Sequence, residues 1–146
     1  AHSTGRLTSA LTQVIELSEK STDKFLADPN IDPSTLPSAR TRKSEILTQS
    51  SVIAVPRPLW DAIGGFDDKF TGWGCEDNAF WLAASIVAAD GKTNGKPLRI
   101  KGPAFHLWHL PVKKIKILDP AFRINQKRLR LYKKSRTPEQ LAGLRG

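Results

Sequence analysis

A glycine-rich loop followed by two acids is the part of the sequence best suited to chemistry. Residues 64–78 contain four glycines, Trp73 and the adjacent acids Glu76 and Asp77. Glycines allow backbone conformations with positive φ and a close approach to a ligand. A tryptophan held in such a loop can stack on the apolar face of a sugar. Of two acids at a helix start, one can hydrogen-bond a substrate hydroxyl while the other accepts its proton.

Each feature of this loop also has a purely structural explanation. G-G-F and G-W-G segments occur as packing turns, and acids at the start of a helix are often caps. Taken singly, each feature is better explained by structure. Taken together in this order, residues 64–78 favour a functional interpretation.

Two histidines form a second candidate site. His106 and His109 are three residues apart beside Trp108, after a predicted strand, and can share one side of an irregular strand end. Neutral imidazole is a good ligand for Mn²⁺ or Zn²⁺. Without further information, half-buried histidines packed beside a tryptophan are the simpler interpretation.

The loop and its surroundings resemble the C-terminal half of inverting GT-A glycosyltransferases, namely family-2-type enzymes and the C-terminal domain of β-1,4-galactosyltransferases. The shared pattern is G-G-F-D at 64–67 and G-W-G-x-E-D at 72–77, opening a helix. The strand-like residues 50–55 and the segment 57–60 are also similar, and the motif core covers 50–109. The resemblance implies an α/β chain with a partial, Rossmann-like GT-A fold.

The resemblance also implies a role for individual residues. Asp77 matches the catalytic base that deprotonates the acceptor hydroxyl for in-line attack on the anomeric carbon. Glu76 matches the acid that binds acceptor hydroxyls, and Trp73 matches the tryptophan that packs on the sugars. The further substrate-binding positions are Gly65, Asp67, Gly72 and Gly74.

A metal site is implied downstream. In such enzymes a histidine after a strand completes the site, and here His109, or else His106, matches it. The metal, Mn²⁺ or Mg²⁺, would neutralise the leaving nucleotide diphosphate. Lys113 and Lys114 follow in sequence and are candidates for a diphosphate contact.

The sequence departs from the family pattern at three points. Cys75 stands where glycine is common, and Asn78 stands where some relatives have a third acid. No D-x-D motif occurs, although this motif ends the nucleotide-binding half of GT-A enzymes. We therefore expect the nucleotide-binding half to be missing before Ala1, with weak or no transfer by this chain alone.

Several elements must position these residues. Apolar spacing predicts helices, and β-branched or apolar runs between turn residues predict strands. The predicted helices cover residues 7–25, 58–63, 76–91 and 120–134. The predicted strands cover residues 50–55 and 98–109, the second interrupted at 102–103, and residues 28–42 form a proline-rich loop.

Composition indicates one domain with an uneven charge distribution. The 146 residues carry a net charge of +9, and residues 113–136 hold ten basic residues against one acid. We therefore divide the chain into a body, 1–112, and a basic, largely helical arm, 113–146. The single cysteine cannot form an internal disulfide, and no signal peptide or membrane span is visible, which predicts a cytoplasmic location with membrane association left open.

The predicted function is metal-dependent, inverting transfer of a hexose from a nucleotide-sugar, UDP-linked, to a hydroxyl of a glycan, lipid-linked sugar or glycoprotein. One alternative is a basic module that binds an anionic surface or nucleic acid. Nucleic acid is disfavoured because few aromatic residues interleave the basic ones and no RNP-like or helix-turn-helix pattern occurs. Another alternative is a glycan-binding domain that keeps Trp73 without chemistry. The sequence leaves the oligomeric state open.

Overall fold

A computed structural model describes residues 5–42, 52–89, 95–110 and 119–146. Within these ranges the chain forms an α/β fold with two three-stranded sheets and five α-helices. The strands are β1 (Thr8–Ser9), β2 (Gln13–Leu17), β3 (Ser38–Arg42), β4 (Ile53–Ala54), β5 (Leu98–Arg99) and β6 (Pro103–His106). The helices are α1 (Glu19–Ala27), α2 (Arg57–Ile63), α3 (Glu76–Val87), α4 (Pro120–Lys134) and α5 (Pro138–Arg145), and a 3₁₀ turn covers Pro33–Thr35.

The two sheets follow one another along the same two chain segments, which run parallel side by side. One segment carries β1 and β2, and the other carries β5 and β6. β1 runs parallel to β5, and β2 runs parallel to β6. Between them, the amide of Thr12 donates to the carbonyl of Gly102 at 2.9 Å. β4 adds antiparallel to β1, and β3 adds antiparallel to β2. The strand is interrupted, as predicted, but the interruption covers residues 100–102, and Pro103 already belongs to β6.

The predicted helix over residues 7–25 is wrong in its first half, where β1 and β2 lie. Its apolar residues do face the core, because Leu7, Leu11, Val14 and Leu17 are all buried. Their spacing of three and four residues is produced by two short strands joined by a bend. Pairing with β5 and β6, about ninety residues away, overrides the local helical pattern.

Other elements agree with the sequence to different degrees. Helices α2, α3 and α4 are confirmed, and α4 has the predicted bounds. The predicted loop over 28–42 is wrong at its end, which forms β3, and α5 was not predicted. Only Ile53–Ala54 of the predicted strand 50–55 is a strand, while residues 50 and 51 lie outside the described part.

The C-terminal helices pack into the main hydrophobic core. Leu129 and Tyr132 of α4 and Leu141 of α5 are buried in one cluster with residues such as Leu59 of α2 and Phe80 of α3. The described helices of the basic segment, α4 and α5, therefore pack against α2 and α3. The division into a body and an arm stays a prediction. The proposed boundary at 112/113 lies outside the described residues.

Within the described ranges, none of the helices has the length and apolar character needed to cross a membrane. The cytoplasmic location remains a prediction from the sequence.

Candidate active site

The loop before α3 turns through a series of left-handed residues. Gly72, Gly74 and Cys75 have φ angles of 71°, 94° and 81°. Between them, Trp73 is 63% exposed, and its ring lies 5.9 Å from the ring of Phe122 on α4. The loop therefore presents an indole to solvent while one side of it rests on α4.

A buried amide holds this loop in place. The side chain of Asn125 on α4 is fully buried. Its Nδ2 donates to the carbonyl oxygens of Thr71 at 2.9 Å and Gly74 at 3.0 Å, and its Oδ1 accepts from the Thr71 amide at 3.3 Å. One side chain thus satisfies several polar groups of a loop that lies outside any sheet or helix.

Asn125 was missed by the sequence analysis, although a signal exists. It occupies the same helical face as Phe122, Leu129 and Tyr132, which are spaced by three and four residues. A polar residue on an otherwise apolar helix face indicates a buried hydrogen-bond partner.

Two backbone positions of the loop are sterically special. A Cβ atom on Gly74 would lie 3.2 Å from Cε2 of Phe122, so this ring would have to shift, and the left-handed φ of 94° also favours glycine. Cys75 adopts a left-handed conformation despite its side chain, which costs roughly 1–2 kcal/mol for a non-glycine residue. Glycine at this position, as in the family the loop resembles, would avoid that cost.

The acid pair occupies the first turn of α3. Glu76 and Asp77 are both half-buried and directly follow the loop. The helix dipole favours negative charge at this end. Phe80, Ala83 and Ala84 of the same helix are buried in the core. The carboxylates of Glu76 and Asp77 are therefore carried on a firmly packed helix, three and four residues after the exposed indole of Trp73.

Gly65 and Asp67, predicted to bind substrate, make contacts within the protein. The carbonyl oxygen of Gly65 accepts from Nη1 of Arg145 at 3.0 Å. The Asp67 carboxylate is buried, and its Oδ2 accepts from Nε of Arg128 and from the hydroxyl of Tyr132, both at 2.6 Å. These contacts fasten the G-G-F-D segment to α4 and α5, and the substrate-binding roles stay predictions.

The environment of Asp67 favours its charged form. Burial raises the pKa of its carboxyl, but hydrogen bonds from Arg128, Tyr132 and the Lys69 amide outweigh burial, so the pKa is lowered from its ordinary value of 3.8. Burial and the hydrogen bond to Asp67 raise the pKa of the Tyr132 hydroxyl. At neutral pH the group is a buried carboxylate paired with a guanidinium.

The two histidines lie together at the end of β6. His106 is the last residue of that strand and pairs opposite Glu16 of β2. The ring of His109 lies 5.2 Å from the ring of His106. Both rings, with Trp108 and Glu16, line a cavity of about 330 Å³ between β2, β3 and the segment after β6.

A metal at this place would have few protein ligands among the described residues. The carboxylate that lines this cavity, Glu16, is ion-paired with Arg40 at 2.9 Å and with Arg42 at 2.8 Å. The hydrogen bond from Arg40, opposed by burial and assisted by the positive charges nearby, lowers the pKa of Glu16. No cluster of three or more histidine, cysteine or acidic side chains suited to a metal occurs in the ranges that the structure describes.

Among the described residues, the metal prediction therefore rests on the two imidazoles. His106 and His109 fit as a partial ligand set, and a complete coordination shell would need further ligands. Lys113 and Lys114, the candidates for a diphosphate contact, lie outside the described residues.

Comparison with known proteins supports the resemblance. Residues 38–97 match a family model described as the N-terminal domain of galactosyltransferase. The matched segment includes the whole W-G loop and α3, which confirms the resemblance to galactosyltransferases over this part of the chain and indicates glycosyl transfer. The correspondence to a C-terminal half and the partial GT-A fold stay predictions. No curated protein and no solved structure matches the chain.

The buried carboxylate generates a pH-dependent stability prediction. We expect Asp67→Asn to lower the free energy of unfolding by about 2 kcal/mol near neutral pH, since hydrogen bonds to charged groups contribute about 1.5–3 kcal/mol. The pKa of Asp67 in the folded protein is below 3.8, the value in the unfolded chain. This stabilisation is therefore present at pH values above 3.8 and is lost as the pH falls through the folded pKa. Urea denaturation at several pH values measures it.

The matched control is Asp68→Asn, the same change at the exposed neighbouring residue. It should alter stability by less than about 0.5 kcal/mol at every pH. If Asp67→Asn and Asp68→Asn have the same effect near neutral pH, the buried pairing of Asp67 is wrong.

The loop geometry generates a second stability prediction. We expect Gly74→Ala to destabilise the protein by about 2 kcal/mol, because alanine would be strained at this φ and would press on Phe122. Gly143→Ala, in an open part of α5, should instead stabilise the protein by up to about 1 kcal/mol through helix propensity. Thermal unfolding of both variants checks the opposite signs, and a neutral Gly74→Ala would contradict the described loop.

Proposed function

We propose that this chain is the catalytic part of an inverting, metal-dependent glycosyltransferase that transfers a hexose from a UDP-sugar to an acceptor hydroxyl. The observation that carries the proposal is the position of the galactosyltransferase match. It covers the loop that exposes Trp73 immediately before the two carboxylates of α3. An aromatic platform beside paired acids suits the binding and deprotonation of a sugar hydroxyl.

In the proposed mechanism, an acceptor sugar stacks its apolar face on Trp73. A hydroxyl of the acceptor sugar donates a hydrogen bond to Glu76, which orients the sugar. Asp77 takes the proton from the attacking hydroxyl as its oxygen bonds to the anomeric carbon. The bond from that carbon to the nucleotide diphosphate breaks on the opposite face, so a single displacement inverts the configuration.

The loop architecture supports this division of roles. Asn125 fixes the carbonyl groups on both sides of Trp73, and the core residues of α3 fix the helix that carries the acids. A positioned aromatic ring and positioned carboxylates lower the entropy lost when substrate and base must meet.

The metal in this proposal is Mn²⁺ or Mg²⁺. His109, together with His106, would hold it in part, and the metal when bound would neutralise charge on the diphosphate leaving group. Lys113 and Lys114 are proposed to assist at the diphosphate. The donor is a nucleotide-sugar, with UDP-galactose first because of the family match, and the acceptor is a glycan, a lipid-linked sugar or a glycoprotein.

The base assignment is tested by Asp77→Asn introduced in the full-length context. We expect transfer, followed as UDP release from UDP-galactose with a panel of sugar acceptors and Mn²⁺, to fall by at least about 100-fold, since a general base contributes about 10²–10⁴ in rate. Asp68→Asn, the same change nine residues upstream on the exposed side of the loop, should retain full activity. Equal activity of the two variants would remove Asp77 as the base.

The aromatic platform is tested by Trp73→Ala and Trp73→Phe. We expect the alanine variant to raise the acceptor KM about tenfold, because an aromatic contact contributes about 0.5–1.5 kcal/mol. Phenylalanine should restore most of the affinity. The fold should be unaffected since the ring is mostly exposed.

A glycan-binding module without chemistry is the second candidate, favoured by the exposure of Trp73. It predicts sugar binding, measured by saturation-transfer NMR, that Trp73→Ala abolishes and Asp77→Asn leaves unchanged. Binding without metal and without UDP release would favour this candidate over the enzyme.

A further inference from the structure

The solvent-facing side of α4 is a stripe of positive charge. The helix contains six basic residues and no acid. Five of them are exposed, and four of these recur at intervals of four, three and four residues: Arg123, Lys127, Arg130 and Lys134. At 100° per residue this spacing places all four within a sector of about 60°, along about 16 Å of helix. The opposite side, with Asn125, Leu129 and Tyr132, is buried.

Two aliphatic side chains border the stripe. Ile124 is 56% exposed and Leu131 is 45% exposed. They are seven residues apart and therefore lie on the same side of the helix, next to Lys127. A face that only needed to be solvated would gain nothing from isoleucine and leucine beside the cations.

We propose that this face of α4, formed by the four cations with Ile124 and Leu131, docks on the surface of an anionic lipid bilayer. Anionic headgroups attract basic residues, each of which strengthens binding by about fivefold near the surface. Aliphatic side chains on an interfacial helix enter the boundary between headgroups and acyl chains. Lipid phosphates would also relieve the repulsion between cations four residues apart on the helix.

The aliphatic pair distinguishes a bilayer from nucleic acid as the partner. A nucleic acid backbone would use the cations, but Ile124 and Leu131 would gain little from it. Single-stranded nucleic acids are bound by stacking on exposed aromatic rings. The aromatic residues of α4 do not serve this purpose here, because Tyr132 is buried and Phe122 packs against Trp73.

Docking would have a consequence for the candidate active site. Phe122, in the first turn of α4, contacts the ring of Trp73. A bilayer bound along α4 would therefore hold the W-G loop close to the headgroups. The docking proposal itself is independent of glycosyl transfer, because it rests on α4 alone.

The test is sedimentation of the full chain with phosphatidylcholine vesicles that contain no anionic lipid or about 30 mol% phosphatidylserine, at about 150 mM salt. We expect at least about tenfold tighter binding to the anionic vesicles. Lys127→Glu with Arg130→Glu should remove that difference. The control pair, Lys20→Glu with Lys24→Glu on exposed positions of α1, carries the same charge change and should bind with at least half the wild-type affinity.

A second pair of variants separates lipid from other polyanions. Ile124→Ser with Leu131→Ser leaves the charge unchanged and should weaken vesicle binding at least about fivefold, without weakening binding to a duplex DNA probe. Circular dichroism and the thermal midpoint verify that each variant is folded. The proposal is overturned if anionic vesicles are not preferred, if the α4 and α1 charge pairs behave alike, or if the serine pair binds vesicles as the wild type does.

Discussion

The hydrogen bonds of Asn125 are the contact on which the candidate site depends. They join a fully buried amide on α4 to the loop that carries Trp73, and the loop in turn begins α3 with its two acids. Left-handed residues such as Gly72 and Gly74 can adopt many conformations in isolation, so the loop needs an external contact to select one. A buried side-chain amide selects one loop conformation, because its donor and its acceptor both require partners at fixed positions.

A second buried polar group performs the same task at the start of the loop. Asp67 binds Arg128 and Tyr132, both on α4, and Arg145 of α5 donates to Gly65. Removing one partner of a buried ion pair costs more than the pair contributes, so such groups define one arrangement of the chain. The contacts of the G-G-F-D part therefore support the loop, and the chemistry that we propose is carried by the W-G-x-E-D part.

Helix α4 has two sides with different tasks. The buried side supplies Asn125, Arg128 and Tyr132 to the loop, and the exposed side carries the cations and two aliphatic residues. A segment that appears in the sequence as a basic tail thus contributes to the core and to the support of the candidate site. A partner that binds its exposed side would be within one helix diameter of the residues that hold Trp73.

Short-range signals in the sequence were sufficient to predict several helices and the candidate site residues that lie close together along the chain. Prolines at the starts of α2 and α4, the glycine that ends α2 and the two acids that begin α3 act within a few residues, so these helices could be predicted. The match to galactosyltransferases over residues 38–97 supports the motif that carried this reasoning.

Only the tertiary structure decided how the distant parts meet. The strands β1 and β2 replace a helical pattern because their partners, β5 and β6, lie about ninety residues away in the sequence. Likewise, the contacts of Asn125 with the loop and the burial of Asp67 join residues more than fifty positions apart. Spacing along the chain reports which face of an element is apolar, but it does not report which distant group will satisfy a buried polar atom or pair with a strand.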